Sequence, residues 1–366
     1  MSVFATDVVV VGGGVMGSAA AWQLASRGAG TVLLERFEPG HVRGASYGAS
    51  RMFRFVYPDP FYTQLAIQAL PGWRNIEAAA GVGLLTVTGG VDHGVDTATS
   101  AIAAALEPAG VPGAWLDPAE AMRRWPGLRF ESRVLFHPAS GRIDADAAVA
   151  ALQKLVIAAG AGVHHNVRVT GIGDGEVVTD AGDTYRSERV VVCAGAWTER
   201  LLGEHLQLPP LRVTQEQPLH FAPRSWLAGI EWPSFIHYRG EDEAPFSFGY
   251  GMRTPGEGVK VGFHHAGPDC DPDARDFRPE TWRLNVLLDY VREWVPGVDT
   301  RAWTPISCTY TSTPTEDFVI DAVGSLVVAA GFSGHGFKFA PVIGGMLADL
   351  ALGGPRPPER FALARL

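Results

Sequence analysis

Lysine, cysteine and long apolar runs are all scarce in this chain. Only three lysines occur, so nearly all of the 30 basic residues are arginines. The three cysteines, Cys193, Cys270 and Cys308, lack the number and pairing of a secreted disulfide framework and form no CxxC motif. No apolar stretch reaches the roughly 18 to 20 residues that cross a membrane. These absences favour a protein of a reducing compartment that does not span a membrane.

Charge and length narrow the class further. A net charge of −9 argues against nucleic acid or an anionic membrane as the main partner. A chain of 366 residues exceeds the usual size of a single core, so we expect two lobes. No basic, apolar leader precedes the first strand-like run. We expect a cytoplasmic location, or a peroxisomal one only if the final Ala-Arg-Leu serves as a targeting signal.

The beginning of the chain predicts a strand, a helix and a second strand. "TDVVVVGGG" is typical of a buried parallel strand, "VMGSAAAWQLASRG" of a helix and "TVLLE" of the next strand. Between strand and helix lies Gly12-x-Gly14-x-x-Gly17, whose glycines permit a tight turn, close approach of a pyrophosphate and close helix packing. The helix N-terminus attracts phosphates, and Glu35 can accept hydrogen bonds from a ribose. The pattern predicts a dinucleotide site.

The organisation of the rest favours FAD over NAD. Residues 36–55 are glycine-rich and irregular, which suits a loop around an extended ligand. Strand-like segments such as "RVVVCAGAW" and "SLVVAAGFSGHG" return later, and the pieces between them are richer in proline, tryptophan and charge. We predict an α/β fold with a Rossmann-like FAD-binding domain, residues 1–84, 141–214 and 317–366. It is interleaved with a mixed-sheet substrate domain, residues 85–140 and 215–316.

Several motifs in a fixed order point to one family. After the glycine motif come "GASYGASRMFR", "CAGAW", "GVKVGFHH", "SCTYTSTPTEDFVID" and "GFSGHGFKFAP". In these motifs the chain resembles the flavin-dependent amine oxidases of the monomeric sarcosine oxidase and N-methyltryptophan oxidase family. The resemblance implies a monomeric FAD enzyme that oxidises an N-methyl, N-alkyl or cyclic amino acid to an imine and reduces molecular oxygen to hydrogen peroxide.

The resemblance also implies roles for individual residues. Cys308 in "CTYT" would carry FAD covalently through the flavin 8α-methyl, whereas a lone thiol is otherwise most often a core residue. Lys260 would lie above the flavin ring and stabilise the negative charge formed when oxygen reacts. Arg54 and Lys338 would bind the substrate carboxylate, and Arg51 would lie beside the flavin.

Histidine and tyrosine side chains complete the predicted site. His264 and Tyr310 would line the substrate cavity and His335 would contact the flavin, although a structural role is open to any of the histidines. The other expected cofactor contacts are Val15, Met16, Arg36, Ser50, Val167, Ala194, Gly195, Trp197, Gly334, Gly336, Phe337 and Lys338. The segment "HHAGPDCDPD" matches no familiar zinc pattern, so we expect no metal. Lys154 is expected on an exposed helix surface.

Two departures from the family pattern bear on the substrate. Ser46-Tyr47 stands where relatives have a His-His pair, and Phe248 lacks the hydroxyl often found over the cavity. Sarcosine and a larger N-alkyl or cyclic amino acid are therefore alternative substrates.

Two functions other than that of an oxidase are also open. One is an FAD dehydrogenase that passes electrons to a carrier, which Lys260 opposes. The other is a catalytically silent flavin-binding subunit, which the joint presence of the proposed site residues opposes.

Overall fold

The computed structural model describes residues 1–240 and 245–365. Its helices are α1 (Val15–Ser26), α2 (Pro60–Ala80), α3 (Asp96–Leu106), α4 (Pro118–Arg124), α5 (Ala145–Ala158), α6 (Thr198–Leu202), α7 (Thr281–Trp294) and α8 (Ala340–Ala351). Its strands are β1 (Val3–Val11), β2 (Thr31–Leu34), β3 (Arg51–Phe53), β4 (Leu85–Val87), β5 (Gly90–Gly94), β6 (Ala114–Leu116), β7 (Val134–His137), β8 (Gly141–Ile143), β9 (Gly162–His164), β10 (Val169–Ile172), β11 (Glu176–Thr179), β12 (Thr184–Val192), β13 (Arg212–Glu216), β14 (Leu219–Pro223), β15 (Ser234–Tyr238), β16 (Phe248–Thr254), β17 (Gly258–Phe263), β18 (Val298–Pro305), β19 (Cys308–Ser312), β20 (Val319–Val323) and β21 (Leu326–Ala330).

The first sheet has a parallel centre. β9, β2, β1, β12 and β21 lie side by side in this order and run in one direction, with β10, β11 and β20 added antiparallel. Val8 and Val10 of β1 face the core that contains helices α1, α5 and α8, whereas Val9 and Val11 face a second core on the opposite side. Because successive side chains of a strand point to opposite faces, the continuous valine run is buried on both.

Small residues bring α1 close to the sheet and to α8. Ala19, Ala20 and Ala21 are almost completely buried. A Cβ added to Gly344 of α8 would lie 2.8 Å from the Ala19 backbone and side chain. The two helices therefore pack closely through residues without bulky side chains, which holds the N-terminus of α1 at the end of β1.

The second sheet supplies the other half of the molecule. Its order is β18-β14-β17-β16-β15-β5-β7-β6, antiparallel except for the parallel pair β5 and β15. Helix α7 covers one face through Leu287, Tyr290 and Val291. Two smaller sheets, β3-β8-β4 and β13-β19, carry Arg51 and Cys308.

The two large sheets alternate along the chain. Strands of the first lie within residues 3–34, 162–192 and 319–330, and strands of the second within 90–137 and 219–305. The predicted α/β class and the mixed second sheet are confirmed. The assignment of ranges to a cofactor and a substrate domain stays a prediction. Among the described residues, no helix is both long enough and apolar enough to span a membrane.

Candidate active site

The turn from β1 into α1 has no room for a side chain at two of the predicted glycines. Gly12 has a φ of +104°, and a Cβ there would lie 2.4 Å from the carbonyl oxygen of Cys193 at the end of β12. A Cβ on Gly17 would lie 1.9 Å from the carbonyl oxygen of Gly12. The turn therefore requires both glycines. At Gly14 a Cβ would meet only the Ser46 side chain, at 3.1 Å, so packing of the turn does not demand this third glycine.

The N-terminus of α1 is built to receive an anion. Its N-cap is Gly14, which provides no capping side chain, and its first turn carries no acidic residue. The Val15 N–H donates to the Ser46 hydroxyl at 3.1 Å. The remaining N–H groups of the first turn point along the helix axis without helical partners, which is the arrangement that binds phosphate.

Glu35, at the end of β2, braces the same turn. Its Oε2 accepts from the Gly13 N–H at 2.6 Å and its Oε1 from the Phe37 N–H at 2.9 Å. Burial opposes ionisation, but hydrogen bonds from His41 and from these backbone groups outweigh it and hold the pKa of Glu35 below its ordinary value. Oε1 also receives His41 Nε2, at 3.4 Å, whereas Oε2 has the single partner Gly13 and can accept a second hydrogen bond, so the ionised group can also receive a ribose hydroxyl.

These groups open into a cavity of about 470 Å³, within the usual range for ligand sites. The cavity lies at the carboxyl ends of parallel strands, where dinucleotides bind in such sheets. The predicted residues on its wall are Gly12, Gly14, Val15, Met16, Glu35, Arg36, Arg51, Val167, Ala194, Gly195, Trp197, Cys308, Tyr310, Gly334, Gly336 and Phe337. Gly17, Ser50, Arg54, Lys260, His264, His335 and Lys338 do not belong to this wall. The glycine cradle, the helix N-terminus and Glu35 fit an FAD.

Two of the cysteines have different environments. Cys193 is buried, and burial raises the pKa of its thiol to about 12. Cys308 is half-buried on the cavity wall, with its Sγ 3.9 Å from Arg51 Nη2 and 4.0 Å from the Ala45 carbonyl oxygen. Both residues border the cavity, but Cys193 is the more deeply buried of the two and Cys308 is the one next to a cation.

A single carbonyl oxygen joins two predicted site cations. The Ser50 carbonyl accepts from Lys260 Nζ at 2.7 Å and from Arg51 Nη1 at 2.9 Å. Lys260 is 5% exposed, and burial together with the nearby Arg51 charge lowers its pKa to about 7. The Ser50 hydroxyl is 2.7 Å from that of Thr254 on β16, which ties this loop to the second sheet.

The proposed carboxylate-binding pair meets at one tyrosine. Lys338 Nζ donates to the Tyr57 hydroxyl and to the His335 carbonyl oxygen, both at 2.7 Å. Arg54 lies over the same ring, 5.6 Å from its centroid. Burial, reinforced by the Arg54 charge, holds the pKa of Lys338 well below its ordinary value. Arg54 also contacts the buried Asp92 at 3.2 Å.

The predicted histidines are neutral side chains. Burial and the charge of neighbouring groups lower the pKa of His264 well below 6.5 and that of His335 to about 3. His264 Nδ1 is 3.1 Å from the Tyr310 hydroxyl. His335 Nε2 lies 3.2 Å from the Glu316 carbonyl oxygen, which can only accept, so Nε2 carries the proton. Neither imidazole supplies charge to the site.

Two polar residues on the cavity wall were not among the predicted site residues. Asp273 receives Arg36 Nη1 at 2.7 Å and Trp197 Nε1 at 2.9 Å, and so connects two predicted cofactor residues. Gln153 of α5 donates to the Gly13 carbonyl oxygen at 2.9 Å. None of the family motifs contains either residue, because each acts through contacts with distant parts of the chain.

Fold and site together define a dinucleotide-binding α/β flavoprotein, and comparison with known proteins identifies the family. A family model for FAD dependent oxidoreductases (DAO) matches residues 7–350, so the chain belongs to this family. It is 34% identical to the monomeric sarcosine oxidase of Streptomyces avermitilis, with 95% of this chain and 94% of the relative covered.

Two further similarities agree with this result. The chain is 33% identical to the peroxisomal sarcosine oxidase of Mus musculus, covering 94% of this chain and 92% of the relative. A solved structure of NikD, described as an unusual amino acid oxidase essential for nikkomycin biosynthesis, is 29% identical with a TM-score of 0.86, and 98% of each chain is covered. The family resemblance drawn from the ordered motifs is confirmed.

The turn geometry predicts different effects for two glycine substitutions. Gly14→Ala should fold normally, because its Cβ meets only Ser46, but the methyl group would occupy the phosphate side of the turn and weaken FAD binding about tenfold. Gly17→Ala should prevent the turn from forming. Titration of apoprotein with FAD, in a Cys308→Ser background that excludes covalent attachment, measures the affinity, and the melting temperature of the apoprotein reports folding. Equal FAD affinity in Gly14→Ala and its parent would contradict the assignment.

Proposed function

We propose that this protein is an oxidase of secondary amino acids that carries FAD covalently on Cys308. An N-methyl, N-alkyl or cyclic amino acid would lose a hydride from the carbon next to nitrogen and a proton from nitrogen, and the resulting imine would hydrolyse. The flavin supplies the chemistry of accepting this electron pair and passing it to molecular oxygen, which becomes hydrogen peroxide with two protons. One observation carries the proposal. The buried Lys260 and Arg51 both donate to the Ser50 carbonyl oxygen, and Arg51 in turn contacts the Cys308 sulfur.

The substrate would be held by its carboxylate. Arg54 and Lys338 approach each other across Tyr57, and both are largely withdrawn from solvent. In such a site a carboxylate gains charge-assisted hydrogen bonds that are stronger than those between neutral groups. Because a bound carboxylate favours the ammonium form, Lys338 would take up a proton as the substrate enters. His264 and Tyr310, linked by a hydrogen bond, would orient the amine without acting as a strong base.

Lys260 would act on oxygen. An ammonium in a water-excluded site stabilises developing negative charge more strongly than one in water. Its hydrogen bond to the Ser50 carbonyl holds the ammonium in one position, so little reorganisation is required when charge develops. This function for Lys260 favours an oxidase over a dehydrogenase.

The two parts of the molecule would have different functions. The cavity wall comes mainly from residues 1–84, 141–214 and 317–366, for which we propose FAD binding. Lys260 and His264, and the Asp92 that contacts Arg54, come from 85–140 and 215–316, for which we propose substrate binding and oxygen activation. We further propose that the enzyme acts as a cytoplasmic monomer; the name of the Streptomyces relative describes that protein as monomeric.

Anaerobic mixing tests the function. Sarcosine, N-methyltryptophan, proline and pipecolate would each be added to the purified flavoprotein without oxygen, and at least one should bleach the flavin absorbance. Admission of air should restore the colour and release hydrogen peroxide equimolar with the amine consumed. A flavin that stays reduced in air but is reoxidised by a quinone would indicate a dehydrogenase. Failure of every amine to bleach it would indicate a silent flavin-binding subunit.

Covalent attachment is tested by acid precipitation. The yellow colour of the wild type should remain in the trichloroacetic acid pellet, whereas that of Cys308→Ser should move to the supernatant. Cys270→Ser is the matched control, because Cys270 is half-buried like Cys308 but does not line the FAD cavity. Its flavin should stay in the pellet. If Cys308→Ser keeps its flavin in the pellet, attachment lies elsewhere.

Lys260→Met should separate the two half-reactions. Anaerobic reduction by substrate should change little, while reoxidation by oxygen should slow about 100- to 1,000-fold because the stabilising charge is lost.

Since the pKa of Lys260 is about 7, the ammonium is present below this pH and lost above it. Wild-type reoxidation should therefore slow as the pH rises through 7, and that of Lys260→Met should not. Stopped-flow absorbance measures both steps. Lys154→Met, at an exposed site, is the control, and normal reoxidation of Lys260→Met would exclude the proposed role.

A further inference from the structure

A line of buried polar side chains runs from the second sheet to Arg54. Asp92 of β5 and Ser140, just after β7, are 0% exposed, and His137 at the end of β7 is 1% exposed. Asp92 Oδ2 is 2.6 Å from His137 Nε2, and His137 Nδ1 is 2.6 Å from the Ser140 hydroxyl. At the other end, Asp92 Oδ1 accepts from Arg54 Nη1 at 3.2 Å. None of the motifs of the predicted site contains these three residues.

The direction of each hydrogen bond follows from the charge of Asp92. Burial disfavours the carboxylate, but the Arg54 charge and the contact with His137 outweigh it and hold the pKa of Asp92 below its ordinary value. The ionised carboxylate can only accept, so His137 Nε2–H donates to it. Ser140 bonds the opposite ring nitrogen and thereby fixes the ring plane.

The arrangement of serine, histidine and aspartate is not a hydrolytic site. The Ser140 side chain is completely enclosed, so no substrate can reach its hydroxyl. Asp92 is likewise completely enclosed, so no ligand can reach its carboxylate. Within the described residues, the one member of the line that is partly accessible is Arg54, whose side chain is 12% exposed. The hydrogen-bonded line can therefore affect a ligand only through Arg54.

The contacts of Arg54 leave part of its guanidinium free. Nη1 donates to Asp92, and Nη2 lies 3.4 Å from the Tyr238 hydroxyl. A guanidinium has five N–H groups in one plane, so two anchored on the protein side orient the others. Fixing this plane before the substrate arrives reduces the entropy lost on binding. Tyr57, in contact with Lys338, lies over the same group.

We propose that Asp92, itself oriented by His137 and Ser140, is a positioning residue that holds Arg54 in the plane needed to bind the substrate carboxylate. The inference rests on the proposed function, because it assumes a substrate with a carboxylate. It adds a residue of the second sheet that touches neither substrate nor cofactor but determines how strongly the acid group is recognised.

Asp92→Asn tests the proposal. The amide is uncharged, so Arg54 would lose its anionic partner even if His137 changed tautomer to accept from the NH₂ group. The KM of the N-methyl amino acid that reduces the wild type fastest should rise about tenfold or more, with a smaller change in kcat. The matching carboxamide, which cannot form an ion pair with Arg54, should lose much less kcat/KM. Asp96→Asn is the matched control, because Asp96 forms a similar pair with Arg133 at 2.6 Å on the exposed surface.

A double-mutant cycle shows whether Asp92 acts through Arg54. In an Arg54→Met background, Asp92→Asn should change the KM of the acid by less than about twofold. If the two substitutions are additive, or if Asp92→Asn alone affects acid and carboxamide equally, the residue is merely structural and the proposal is wrong.

A milder variant keeps the test valid if Asp92→Asn does not fold. Ser140→Ala removes only the hydrogen bond to the His137 ring, and it should raise the KM of the acid a few-fold while sparing the carboxamide. An equal effect on both would overturn the proposal. Failure of the wild type to oxidise any amino acid would instead refute the proposed function, so the two failures are distinguishable.

Discussion

The burial of positive charge around one site is the constraint on which the rest of this structure depends. Lys260, Lys338 and Arg54 are all largely withdrawn from water, and in the part of the chain that the structure describes their polar contacts include one carboxylate, that of Asp92. Burying a basic group without an anionic partner is unfavourable whether the group stays charged or gives up its proton, so a fold that keeps such groups must gain from them elsewhere. The gain is expected where anionic groups meet these cations: a substrate carboxylate at Arg54 and Lys338, and developing negative charge on oxygen at Lys260.

The interleaved sheets make this concentration of charge possible. Arg54 follows β3 of a small sheet, and Lys338 precedes α8, which packs on the first large sheet. Lys260 lies on β17 of the second large sheet. Each cation is anchored to a residue far away in the sequence: Arg54 to Asp92 on β5, Lys338 to Tyr57 before α2, and Lys260 to the Ser50 carbonyl before β3. Because the Arg54 and Lys260 contacts each join the second sheet to another part of the molecule, neither half forms the site alone.

Local patterns predicted the residues that the structure brings together around the turn from β1 into α1. The valine run of β1, the glycine turn and Glu35 lie within one short segment, and their roles follow from strand burial, backbone clearance and helix polarity. The ordered motifs also singled out Lys260, Arg54 and Lys338, which the structure buries and whose roles stay predictions. By contrast, Asp92, His137 and Ser140 carry no pattern, because a polar residue in a strand or a turn looks the same in sequence whether it is solvated or buried. Only the pairing of β5 with β7 places Asp92 and His137 together, and only the arrangement of separate sheets places Arg54 beside them.

The scarcity of lysine gains a physical explanation from these environments. Lys154 is exposed, whereas Lys260 and Lys338 are buried and have lowered pKa values. An arginine cannot lose its charge in a protein, so at either buried position it would impose a permanent cation. A lysine can be neutral in the empty site and become charged when an anion approaches, which lessens the cost of burial while retaining the electrostatic response. Arg54 is a permanent cation and is also largely withdrawn from solvent. Unlike the two lysines, it has a buried carboxylate, that of Asp92, as a partner.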